Sequence, residues 1–259
     1  MTLTFTARPL CLALGVFVWS AAAQAAEPLS LVHRSALMAS PPSATPSGQT
    51  VWDMHHTTLS RTSLVRLDQA TAEQRQERGE RTLIVLEGQV RFSFANGDRT
   101  LGAGDYVAVP AGQAYRLQPA GEGSPLLLEF DVPGSTTAPG AAVTVKEQAS
   151  VMAGPTSWND PSDRGWTLAK TAEKRVNLVE MFSALKNHSH PDADHSLILL
   201  KGRARVVTPE ESRVLEPGDY VSIPQDVPHK YDVEGDGSAL FISFDAPAYD
   251  PAKTVYLEQ

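Results

Sequence analysis

Seven histidines occur in this chain, and four of them form a pattern suited to holding a metal ion. Three lie in Asn187-His188-Ser189-His190-Pro191-Asp192-Ala193-Asp194-His195; the fourth, His229, closes a stretch that begins at Gly218. His188 and His190 are two apart, so on an extended strand both rings point to one face. A divalent transition metal takes three or four imidazole or carboxylate donors converging from neighbouring strands. His188, His190, His195 and His229 are therefore the candidate ligands, with Asp194 competing for the place of His195. Asp192 and Asp194 otherwise read as acceptors behind the ligands or as loop residues. Tyr231 shares strand parity with His229 and is expected to face the same cavity. The adjacent pair His55-His56 points to opposite faces of a strand, cannot chelate together, and reads as structural or exposed. Lys230, Arg203 and Arg205 either meet an anionic substrate or are solvated strand-edge charges.

The elements that must position these residues are strands. Short β-branched and aromatic runs, broken by Gly, Pro and Asp every ten or so residues, dominate the sequence. A helical period is hinted at only between Gln69 and Gly79. The chain also repeats itself. Leu83-Ile84-Val85-Leu86-Glu87-Gly88 matches Leu197-Ile198-Leu199-Leu200-Lys201-Gly202, and Gly104-Asp105-Tyr106-Val107-Ala108-Val109-Pro110 matches Gly218-Asp219-Tyr220-Val221-Ser222-Ile223-Pro224. Leu127 to Pro133 matches Phe241 to Pro247, and Trp52 matches Trp166, all at a constant offset of 114 residues. One strand order is used twice.

The second copy resembles a cupin. His188-x-His190-x4-His195-x6-Gly202 is similar to the first motif of that superfamily, with histidine where a glutamate is usual. Gly218-x5-Pro224-x-Asp226-x2-His229 is similar to the second, with aspartate at the inner glycine. Phe182 and Val233 stand at the outer motif positions. Six residues separate His195 from Gly202, which favours His195 over Asp194 as the ligand. The resemblance implies an all-β chain of two tandem cupin jelly-roll β-barrels. The expected division is a leader over 1–25, an extension or linker over 26–50, an N-terminal barrel over 51–140 and a metal-binding C-terminal barrel over 141–259. In the first copy Gln74, Gln76, Arg81 and Tyr115 replace the four histidines, so that barrel is expected to be degenerate and metal-free.

Four neutral ligands would leave the full charge of a divalent ion uncompensated. One divalent transition metal per chain is expected, drawn from Fe, Ni, Cu, Zn or Mn; imidazole suits the first four better than manganese. The resemblance implies a metal-dependent enzyme acting on a small, oxygen-rich and anionic molecule, of dioxygenase, lyase, decarboxylase or isomerase type. A non-catalytic metal- or small-ligand-binding module is the alternative, because no acid–base residue stands out beyond the ligands. No catalytic side chain and no organic cofactor can be assigned, and a homo-oligomer stays open.

Arg8, an apolar run from Leu10 to Trp19 and the small residues ending near Ala25 read as a secretory leader, too short to span about 30 Å of hydrocarbon. A periplasmic or secreted protein is expected, with no membrane association after cleavage. The single cysteine, Cys11, falls inside that leader, so the mature chain is expected to carry no disulfide. With 30 acidic against 22 basic residues, a net charge of -8 and no basic run, nucleic acid is not an expected partner.

Overall fold

A computed structural model describes residues 29–135 and 140–257. The expected leader, its cleavage site at Ala25 and Cys11 lie outside the described residues. The chain is all-β, as expected: among the described residues antiparallel strands build five sheets, with two short α-helices, Arg34–Ala39 and Gln148–Ala153. Among the described residues no helix is long and apolar enough to cross a membrane.

Two large sheets carry the fold. A six-stranded sheet runs in the order Thr144–Lys146, Tyr106–Pro110, Glu80–Glu87, Leu126–Val132, Arg61–Leu67 and Gln49–His56. A seven-stranded sheet runs Ser30–Val32, Tyr220–Ile223, Asp194–Lys201, Ala239–Ala246, Arg175–Met181, Asp163–Lys170 and Trp158–Asn159. Their central strands carry apolar runs such as Leu83 to Leu86 and Leu197 to Leu200 because both faces are covered. Leu83, Val85 and Leu127 point into one cluster with Val90, Phe92 and Leu117 from a smaller sheet. Leu197, Leu199 and Phe241 point into another with Ala204, Val206 and Tyr231. Residues of the alternate parity, Ile84, Leu128 and Phe130 with Ile198, Ile242 and Phe244, meet in a third cluster shared by the two large sheets. Phe130 and Phe244, equivalent in the repeat, touch there at 4.8 Å between ring centroids.

The repeat reaches further upstream than Trp52. Strand Ser30–Val32 and helix Arg34–Ala39 lie in the segment expected to be a linker, and 114 residues later stand Thr144–Lys146 and Gln148–Ala153. Each of these first strands joins the other copy's sheet: Leu31 pairs with Val221, and Val145 with Val107. The anchors repeat too. Asp219 Oδ1 accepts from Arg34 N at 3.0 Å, and Asp105 Oδ1 accepts from Gln148 N at 2.8 Å. Between the copies, Lys174 is wholly buried and its Nζ meets Glu80 Oε1 at 2.5 Å and Thr82 Oγ1 at 2.7 Å.

The helical hint between Gln69 and Gly79 is corrected by the structure. That segment is loop and a two-residue strand, Gln74–Arg75. Its backbone is drawn to the strand Ala114–Pro119: Thr71 N donates to Leu117 O at 2.8 Å, and Gln74 pairs with Tyr115.

Candidate metal centre

His188 and His229 face each other as an isolated antiparallel bridge and exchange both backbone hydrogen bonds, at 2.9 and 2.8 Å. That pairing holds their rings 4.4 Å apart between centroids. His190 follows on the same face, 5.0 Å from His188 and 5.4 Å from His229. Its carbonyl accepts from Asp226 N at 3.0 Å. Asp226 has φ 63°, while its repeat mate Gly112 has φ 82°. Aspartate tolerates this left-handed turn better than most residues, which explains how the motif survives its loss of glycine.

Nitrogen atoms of His188, His190 and His229 lie within 4.8 Å of one another. His195, the fourth expected ligand, enters from the strand Asp194–Lys201, with its ring 4.8 Å from His190 and 5.5 Å from His229. The outer nitrogens are already engaged. His188 Nδ1 contacts Lys186 O at 2.8 Å, His229 Nδ1 contacts Val227 O at 2.9 Å, and His195 Nδ1 contacts Asp245 Oδ1 at 2.5 Å. In each ring this fixes the tautomer that leaves Nε2 as a lone-pair donor, the arrangement metal-ligating histidines adopt. His229 Nε2 and His190 Nδ1 are buried with no hydrogen-bond partner. Burial, reinforced by neighbouring imidazoles, holds His188, His190 and His229 below the ordinary histidine pKa, so all three favour the neutral form a metal needs. Orphaned buried donors and fixed outer nitrogens fit a bound cation.

Several side chains around the histidines are not visible in the sequence. Asp245 is wholly buried, and its Oδ2 has no partner, so a carboxylate stands directly behind His195. Arg175 lies across from Asp245 on the paired strand. Its guanidinium stacks on Tyr249 at 4.8 Å, and its Nη1 is buried without a partner. Tyr249 in turn lies 4.6 Å from His190, and burial beside Asp245 pushes its hydroxyl up to about 12. Tyr249 belongs to a C-terminal strap over 247–257 that closes on the site. Val255–Tyr256 pairs with His188–Ser189, and Lys253 Nζ meets Asp192 Oδ2 at 3.2 Å.

The remaining expected residues sort as follows. Asp192 ties down the strap, also accepting from Asp250 N at 3.3 Å. Asp194 lies on the strand beside His195, with the opposite parity. Tyr231 is buried 5.8 Å from His229, and Leu197 and Leu199 line the barrel interior. His55 Nε2 contacts Ser222 Oγ at 3.2 Å, between the copies rather than at a metal. Arg203, Arg205 and Lys230 pair with Glu216, Glu234 and Asp232, as surface strand charges do.

In the first copy, Gln74, Arg81 and Tyr115 also come together, as a hydrogen-bonded set. Tyr115 OH donates to Gln74 Oε1 at 2.8 Å, and Arg81 Nη1 donates to Tyr115 OH at 3.2 Å. Asp131, the repeat mate of Asp245, grips Arg81 with two bonds at 2.8 and 2.7 Å, and Glu129 adds a third contact at 3.2 Å. Gln76 meets this region through its backbone, its carbonyl accepting from Gly112 N at 2.7 Å.

Residues 182–245 match the family model described as Cupin domain, a span that includes all four histidines. No curated protein matches the chain. Among solved structures, the chain is similar to a Pseudomonas aeruginosa protein described as glyoxylate-induced, at TM-score 0.71 and 15% identity over 85% of this chain and 90% of that one. It is also similar to an oxalate decarboxylase of Lactobacillus farciminis in a formate complex, at TM-score 0.59 and 15% identity over 83% and 85% of the two chains. An oxalate decarboxylase of Bacillus subtilis with Mn(II) centres aligns at TM-score 0.57 and 14% identity over 82% and 76%. At these identities the likeness establishes the fold.

Proposed function

We propose that this cupin-fold chain is an exported, tandem two-barrel protein with a degenerate N-terminal barrel, whose C-terminal barrel holds one divalent transition metal on His188, His190, His195 and His229 and acts as an enzyme on a small oxygen-rich anion. The observation that carries the reading is the convergence of three imidazoles that burial keeps neutral, two of which, His190 and His229, hold a buried nitrogen with no hydrogen-bond partner. The wholly buried Asp245 adds to it: a carboxylate in that position calls for nearby positive charge. When bound, the ion supplies Lewis acidity towards a substrate oxygen.

The chain's own residues account for the rest. His195 is oriented by Asp245, and His188 and His229 by backbone carbonyls. Arg175 offers a buried, unpartnered N–H beside Tyr249, suited to a carboxylate of the substrate. Leu197, Leu199 and Phe241 form an apolar floor that excludes water. Oxalate decarboxylases among the solved structures of this fold favour a small carboxylate as the substrate class, and manganese as one metal to test.

A second reading, a closed metal-binding module without turnover, draws on the strap and on Tyr249, which lies over the histidines. The two separate in one titration. With cobalt(II) bound, oxalate, glycolate, sugar acids and catechols are added while the visible spectrum is followed. The enzyme reading expects at least one to perturb the spectrum and to lose affinity in Arg175→Met. A spectrum that none of them shifts supports the closed module.

A further inference from the structure

Besides the histidines, one further position separates the mouths of the two barrels. In the second barrel Trp158 pairs with Gly165, so closely that a Cβ on that glycine would meet the indole at 2.1 Å. The indole also lies against Arg175, with 5.7 Å between the guanidinium and the ring. At the same place in the first barrel, 114 residues earlier, Ala44 bridges Val51. A methyl group replaces the indole. Arg61, the mate of Arg175, is left with a side chain 47% exposed. A cavity of about 370 Å³ opens there, lined by Ala44, Val51, Gln49, Arg61, Arg81 and Glu129 among others.

We propose that this cavity is a second ligand site, and that it takes an uncharged polyhydroxylated molecule of monosaccharide size. The volume lies in the range of small-ligand pockets. The wall carries both signs of charge in balance. Arg81 is paired with Asp131 and Glu129, and Arg61 Nη2 with Asp53 Oδ1 at 2.5 Å. No net field is left to select an anion or a cation. Gln49 supplies the independent sign of a ligand. It is 8% exposed, its Oε1 already accepts from Gln74 Nε2 at 3.2 Å, and its own Nε2 has no partner. A buried donor left in that state is costly, and a hydroxyl oxygen satisfies it. Glu129 and Asp131 also line the cavity and can only accept, and a hydroxyl is both donor and acceptor. Several hydroxyls on one rigid ring match such a mixed wall better than a group of either charge.

Isothermal titration of the full, metal-loaded chain with D-glucose, D-ribose and myo-inositol tests this, with glycine and succinate as charged comparators. At least one polyol is expected to bind at or below about 1 mM. Ala44→Trp, which restores the indole, is expected to abolish that binding while the metal content stays the same. Gln49→Leu is expected to weaken it about tenfold, the loss of one hydrogen bond to a buried donor. If Ala44→Trp does not fold, by its melting profile, Gln49→Leu decides alone. Failure of all three polyols to bind, binding that survives the variants, or binding of glycine or succinate in preference to the polyols would each overturn the proposal.

Discussion

Replacing Asp245 with asparagine keeps the volume and removes one charge, so it isolates what this carboxylate does for His195. Asp245 is wholly buried, and its Oδ1 accepts from His195 Nδ1 at 2.5 Å. A carboxylate can only accept, so it enforces the Nδ1–H tautomer and turns the Nε2 lone pair towards the other imidazoles. An asparagine can present its NH2 group instead, moving the ring proton to Nε2 and disabling that donor. Losses behind a metal ligand of this kind cost about 10- to 100-fold in affinity, or roughly 1.4 to 2.7 kcal/mol. Competition with a chromophoric chelator measures the change. Asp131→Asn is the internal control, because Asp131 occupies the equivalent position but grips Arg81. It is expected to lower stability by about 1.5 to 3 kcal/mol, the worth of a hydrogen bond to a charged group, and to leave metal affinity unchanged. Wild-type affinity in Asp245→Asn, or equal weakening in both variants, would refute the reasoning.

Three more outcomes follow from the same geometry. In metal-stripped protein, burial keeps His188, His190 and His229 neutral below the pH near 6.5 at which an unfolded chain protonates them. The unfolded state then binds more protons, so stability falls on acidification below about 6.5, by up to about 1.4 kcal/mol per pH unit for each imidazole that stays neutral. Denaturant titrations in chelator from about pH 7.5 to about 5.5 check this, and a flat or rising stability contradicts it. Glu80→Leu strands the ammonium of Lys174, which is wholly buried, and is expected to cost about 3 to 5 kcal/mol. Lys174→Met leaves Glu80, 12% exposed and able to reach water, and is expected to cost less; the reverse order in thermal melts would show that the pair does not bind the copies together. For export, mass spectrometry of periplasmic or secreted protein is expected to find a chain beginning close to residue 26, and material starting at Met1 would contradict the leader.

The sequence made the all-β class and the histidine cluster legible for different reasons. Runs such as Leu83 to Leu86 and Leu197 to Leu200 are apolar at every position because alternate residues serve two cores. Histidines two apart, with a fourth returning after Pro224, report directly on a shared face. Neither signal reaches across the fold. Asp245, Arg175 and Tyr249 come to the histidines through pairing between distant strands and through the C-terminal strap, and no local spacing records that. The exchanged strands Ser30–Val32 and Thr144–Lys146 are three residues long, too short for an alternating pattern to declare them. The helical hint after Gln69 failed because its backbone groups find partners in Ala114–Pro119, and tertiary pairing outweighs weak local preference. Ala44 opposite Val51 carries no signal until it is set against Trp158 and Gly165.

The central claim, a metal held by the histidines of the C-terminal barrel, is tested most directly by elemental analysis of protein purified from its own compartment, alongside the double variant His188→Ala/His190→Ala. The account predicts one equivalent of a divalent transition metal per chain in the native protein, and none in a variant that still folds. Two equivalents with one surviving the double change, or a native protein that takes up no metal when supplied with it, would contradict the account.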